Sequence, residues 1–204
     1  MKYKLTLFLI FISVHCFPQS DYQLFNSETM VWYGIDFSHA KLIGTDGFTN
    51  PDDIKGRFFA SWNNLVISEP DKYEIRKFFK KSKVILNLET VEAINQKIDV
   101  GKMVTNQNYN LTKEEIPDIV RNYSGNENSG LGVVFIVEAF NKITQTGYIY
   151  VTFFDIATKK IILSEKLSGE ARGMGLRNYW AGCIFEVMET SQSKLRHWRK
   201  QVGE

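Results

Sequence analysis

A glycine-rich run that ends in arginines is the stretch of this 204-residue sequence best suited to hold a ligand. It reads Gly169-Glu-Ala171-Arg172-Gly173-Met-Gly175-Leu-Arg177-Asn178-Tyr179-Trp180. Glycine reaches backbone conformations closed to other residues, so Gly169, Gly173 and Gly175 let the chain turn sharply into a following helix. The amides of a helix start, with the guanidinium groups of Arg172 and Arg177 beside them, suit a carboxylate or phosphate. Arg172, Gly173, Gly175, Arg177 and Asn178 are therefore the candidate binding residues. The run lacks the later glycine of a dinucleotide fingerprint and the lysine and hydroxyl of a P-loop. The same glycines equally serve a structural end, turning the chain and seating the helix close to a sheet.

Other chemistry finds less support. Asp36 and His39 are the one acid and histidine close together on an expected strand, and a spacing of three puts them on opposite faces. His39 as a general base also needs a nucleophile within hydrogen-bond reach, and the spacing supplies none. No catalytic residue is assigned. No metal site is expected, because His39, His197 and the thiol of Cys183 lie far apart in the sequence. Neither a Gly-x-Ser-x-Gly elbow nor a His-Glu-x-x-His pair is present. Asp52-Asp53 and Glu114-Glu115 suit the first turns of helices, and Lys77, Lys80, Lys81 and Lys83 suit the end of one. No cofactor is implied.

The elements that position these residues follow from periodicity and punctuation. Met30 to Ile43 reads as one long strand. Asn50-Pro51-Asp52-Asp53 opens a helix with Asn50 as cap; its stripe is Ile54, Phe58, Phe59, Trp62, Leu65 and Val66, and it stops before Pro70. A second, basic helix is expected from Lys72 to Lys81, then a strand from Val84 to Leu88 and a helical turn or two over Glu89–Lys97. Thr112 and Glu115 form a capping-box pattern ahead of a helix reaching Tyr123, with Pro117 in its opening turns. Gly132 to Phe140 suits a central strand covered on both faces. Gly147–Ile156 and Ile161–Leu167 form a hairpin. A long helix over Leu176–Lys200 carries Trp180, Ile184, Val187, Met188, Leu195 and Trp198 on one stripe, with Cys183 as a buried small hydrophobe. The fold class is α+β, an antiparallel or mixed sheet packed by helices, in a single domain over residues 21–204.

Residues 1–20 place that domain. Lys2 and Lys4 precede a short apolar run, Leu5 to Val14, and a polar break at Pro18-Gln19-Ser20, the pattern of a secretory signal peptide. The protein is therefore expected to be exported, periplasmic or extracellular, with no transmembrane span in the mature chain. His15 and Ser13 do not fit a lipidation site, so lipid anchoring at Cys16 is not expected. Asn110-Leu-Thr112 and Asn122-Tyr-Ser124 match the glycosylation sequon. The chain has 25 Lys and Arg against 23 Asp and Glu, and loss of Lys2 and Lys4 brings the two into balance. That balance speaks against a nucleic-acid partner, which needs a concentrated basic face. Fifteen Phe, nine Tyr and four Trp predict an aromatic core.

The segment Gly169 to Gly182, with its Arg177-Asn178-Tyr179-Trp180-Ala181-Gly182 ending, resembles a signature of uncharacterised secreted or periplasmic proteins of Bacteroidota. The opening Tyr33-Gly34-Ile35-Asp36-Phe37-Ser38 is similar to the same group, which brings no settled activity with it. The element order is also distantly similar to periplasmic assembly lipoproteins of the curli-secretion and penicillin-binding-protein activator types. The expected function is a non-catalytic binding or assembly component of the cell envelope. Its partner would be an envelope protein or an anionic small ligand, met at the 169–182 loop and helix start. A small-substrate hydrolase using Asp36, His39 or acids of the middle region is the alternative, and a purely structural envelope protein is a third.

Overall fold

A computed structural model describes residues 20–203; the expected signal segment and Cys16 lie outside them. The fold is α+β. Its centre is the long strand β5 (Leu131–Asn141), buried from end to end except at Asn141. A continuous run of apolar residues leaves neither face for water, so helices cover the strand on both sides.

β1 (Thr29–Asp36) and β2 (Lys41–Ile43) lie end to end along one edge of β5, both parallel to it. β3 (Lys83–Leu86) pairs in parallel with β1, and β4 (Val104–Thr105) with β2. On the other edge of β5 the expected hairpin is present: β6 (Thr146–Asp155) and β7 (Ile161–Glu170) run antiparallel. The sheet is therefore mixed, with seven strands.

The first face packs against a thick helical layer. It begins with α1 (Asp21–Phe25), and continues with α2 (Pro51–Asp53), a π-helical turn over Ile54–Phe58, α3 (Phe59–Asn63) and α4 (Leu65–Ser68). As expected, Asn50 accepts the Asp53 N–H and the run ends before Pro70. α5 is shorter than expected at both ends, Ile75–Phe79: Glu74 is still extended, and Lys80 adopts a left-handed conformation (φ +50°) that ends the helix. The long terminal helix α8 spans Gly175–Gly203 and buries Trp180, Cys183, Ile184, Val187, Leu195 and Trp198. The opposite face is covered more thinly by α6 (Leu88–Asn95) and α7 (Ile116–Arg121), through Val91, Ile116, Ile119 and Val120. No helix among the described residues is long and apolar enough to cross a membrane.

The expected single strand from Met30 to Ile43 is in fact broken at Phe37–Ala40. The break starts at Gly34, whose φ of +97° and shifted register with β5 mark a bulge. A Cβ there would stand 2.3 Å from the side-chain oxygen of Asn63. That amide sits where a neighbouring strand would otherwise lie. Asn63 accepts the Ile35 N–H at 2.7 Å and donates to the Ile35 carbonyl at 3.0 Å. Asn95, from the end of α6, accepts the Phe37 N–H at 2.8 Å and donates to the same Ile35 carbonyl. Two buried side-chain amides thus replace a backbone partner, and the column holding β3 and β4 can open between them.

Candidate functional site

The expected site residues lie at the β7–α8 connection. Gly169 is extended within β7, while Gly173 and Gly175 have φ of +130° and +79° and make the turn into α8. Arg172 is exposed and pairs with Glu170 and, at 3.7 Å, with Glu186. Arg177 bonds Ser61, Glu69 and the side chain of Asn178, at 2.8, 2.7 and 3.0 Å. The structure brings Arg177 and Asn178 together but spends both guanidinium groups on neighbouring acids. Gly-loop and β5–β6 turn are tied by the Ala171 N–H donating to Gln145. Met174 and Ile143, one on each loop, are the most exposed large apolar side chains, 91% and 68%.

A second site lies at the break in the β1–β2 line, on the thinly covered face. A cavity of about 490 Å³ opens there, lined by Asp36, Ser38, His39, Lys97, Asp99 and Asn122 among others. A cavity of about 260 Å³ shares Ser38, His39, Ile98 and Asp99 with it and extends to Tyr109. Another of about 300 Å³ shares Ile94, Lys97 and Asn122 and extends to Thr90 and Ser124. The three form one polar groove across the ends of α6 and α7. It lies at the carboxyl end of β1, which is flanked by the parallel strands β3 and β5, and ligands commonly gather at the carboxyl ends of parallel strands.

The floor is rigid. Asp36 is fully buried, and its carboxylate accepts the Ser38 N–H at 2.6 Å and the Tyr123 hydroxyl at 2.5 Å. Burial, and then the Asp36 charge, pushes the Tyr123 phenol well above its ordinary value, so it stays a donor. The wall bearing Tyr109 is held from behind. Glu138, nearly buried, accepts the Leu111 N–H at 2.9 Å and the Lys166 ammonium at 2.5 Å, and Tyr150 donates to the Leu111 carbonyl. Lys41 lies 5.6 Å from the centre of the Tyr109 ring.

Asp36 and His39 line the same cavity, contrary to the alternation expected of a continuous strand. β1 ends at Asp36, so the two-residue period does not extend to His39. The Ser38 hydroxyl and His39 Nδ1 are 2.8 Å apart. That contact could activate a hydroxyl, yet both oxygens of Asp36 are engaged elsewhere and no acid among the described residues orients the imidazole. Glu115 is held below its ordinary range chiefly by the Thr112 N–H and hydroxyl, as the expected capping box requires, and only slightly by His39. Among the described residues no group of three or more His, Cys, Asp or Glu is arranged to hold a metal.

Spacing did not single out Ser38, Lys97 and Asp99, and it singled out Asn122 only as part of a glycosylation sequon. A signal exists for Ser38 alone: the polar trio Asp36, Ser38 and His39 inside an otherwise apolar stretch, which marks a strand being interrupted. Cys183 is fully buried, and burial pushes its thiol up to about 12. Its Sγ would meet a Cβ on Gly147 at 2.2 Å, and its carbonyl one on Gly169 at 2.3 Å. It is packing, as expected.

No protein-family model, curated protein or solved structure matches the chain.

Proposed function

We propose that the protein is an exported component of the cell envelope that binds a small polar ligand without transforming it. One observation carries this: a preformed groove whose polar lining converges on the break between β1 and β2, fixed by buried hydrogen bonds. Pockets of roughly 300–1,000 Å³ with a few placed polar groups are typical of small-molecule sites. The basic start and apolar run of residues 1–20 support export.

The test is native mass spectrometry of the exported protein after incubation with a small-molecule extract of its medium. Wild type should retain a low-mass ligand that the Asn122→Trp variant loses, since an indole there fills the groove mouth while leaving the core untouched. Equal, empty spectra would overturn the binding role. The Ser38–His39 contact favours one rival, an esterase-like hydrolase. Ester turnover by the wild type that falls at least about a hundredfold in Ser38→Ala would decide for that rival.

A further inference from the structure

The bases that line the groove are not tied to its acids. Lys97, Lys41 and His39 line it and make no ion pair with an acid among the described residues. Of the acids in the groove, Asp36 is buried under two donors, Asp99 pairs with Lys102 at 3.7 Å, and Glu89 lies in the cavity that extends to Thr90, outside the central one. His39 engages Ser38 through Nδ1 and has no partner at Nε2 among the described residues. The central cavity thus joins two unpaired nitrogen donors, His39 and Lys97, to the neutral groups of Ser38 and Asn122.

We infer that the ligand of this groove is a hydroxylated carboxylate, of the acidic-sugar or hydroxy-acid class, with its carboxylate between Lys97 and His39 and its hydroxyls on Ser38, Asn122 and Asp99. This rests on the groove being the binding site. Hydroxyl groups both donate and accept, which matches the mixed capacity of serine, amide and carboxylate side chains along the lining. A single negative charge fits better than a phosphate dianion. The cavity meets α6 at its C-terminal end, where the helix carbonyls disfavour extra negative charge, and Lys97 stands just beyond them. Forked arginines, the usual bidentate phosphate holders, do not line the cavity. The apolar remainder, Ile94, Ile98 and Ile119, offers a surface for the C–H face of a ring or chain.

The experiment titrates wild type, Lys97→Met and Asn122→Trp with D-glucuronate, D-glucose and inorganic phosphate by calorimetry. Wild type should bind glucuronate at least about tenfold more tightly than either other probe. Lys97→Met should lose about tenfold for glucuronate only, as expected for one charge-assisted hydrogen bond. Phosphate bound as tightly as glucuronate, or an unchanged Lys97→Met, would overturn the carboxylate assignment. Glucose bound as tightly as glucuronate, and lost in Asn122→Trp, would overturn the charge assignment and leave the groove standing. No binding of any probe at millimolar concentration would overturn both.

Discussion

Two asparagines decide the local geometry of the groove. Asn63 and Asn95 are each nearly fully buried, and between them they satisfy the Ile35 and Phe37 backbone on the edge that β3 no longer covers. Removing the Asn95 amide leaves the buried Phe37 N–H without a partner, at about 1–3 kcal/mol, while the Ile35 carbonyl keeps its bond from Asn63. Asn95→Ala is therefore expected to lower the unfolding free energy by about 2 kcal/mol in urea titrations. An isosteric Asn95→Leu should be no better, because the lost groups are polar and volume is not what they lack. A loss under half a kilocalorie would show that water replaces the amide. Neither residue is legible as functional in the sequence. Asn63 sits beside Trp62 in a helix whose stripe is otherwise apolar, and Asn95 ends a helix with a mixed pattern. What was legible at this scale is Asp36 with His39, found by residue type; their relation was not, because alternation along a strand presumes an unbroken strand.

Elements with a long, regular apolar pattern were readable: β5, the β6–β7 hairpin, α8 and the helix opened by Asn50-Pro51. The broken ones were not. β1 and β2 share one apolar run, and only the buried amides from α3 and α6 reveal that they are separate. The lysines after α5 also depart from a plain solvated face. Lys81 turns inward and donates to the Phe25 and Ser27 carbonyls, at 2.6 and 2.7 Å, closing α1 onto the sheet. Burial first, then the like charge of Arg199, brings its pKa down to about 8. A lysine whose folded value lies below its unfolded one favours folding more once both states can differ in protonation. Stability contributed here therefore rises with pH from about 8 towards the unfolded value. Urea midpoints measured at pH 7.5 and 9.5 should move in favour of wild type relative to Lys81→Met, and a parallel pair of profiles would contradict the assignment.

At the scale of the whole molecule, the two faces of the sheet are unequal. The first holds Trp62, Trp180, Trp198 and a dense set of stacked rings, among them Phe140 on Trp180 at 4.5 Å and Phe37 on Phe59 at 4.1 Å. The second is a smaller cluster under two short helices, and the groove lies on that side. Aromatic packing supplies the rigid body, and the lighter layer is the one the groove interrupts. Composition announced the first of these and gave no sign of the second.

From Ser20 onward the chain carries one thiol, and it is wedged between α8 and the hairpin at Gly147 and Gly169. Nothing the size of an alkylating reagent can reach it while helix and hairpin remain in contact. Cys183 is thus a built-in clock for their separation. Its modification by a thiol reagent should proceed no faster than the parting of α8 from β6 and β7. The half-time should shorten in step with the global unfolding rate as urea is added. Labelling that outpaces global unfolding would mean that α8 lifts alone, and the clock would then time a hinge.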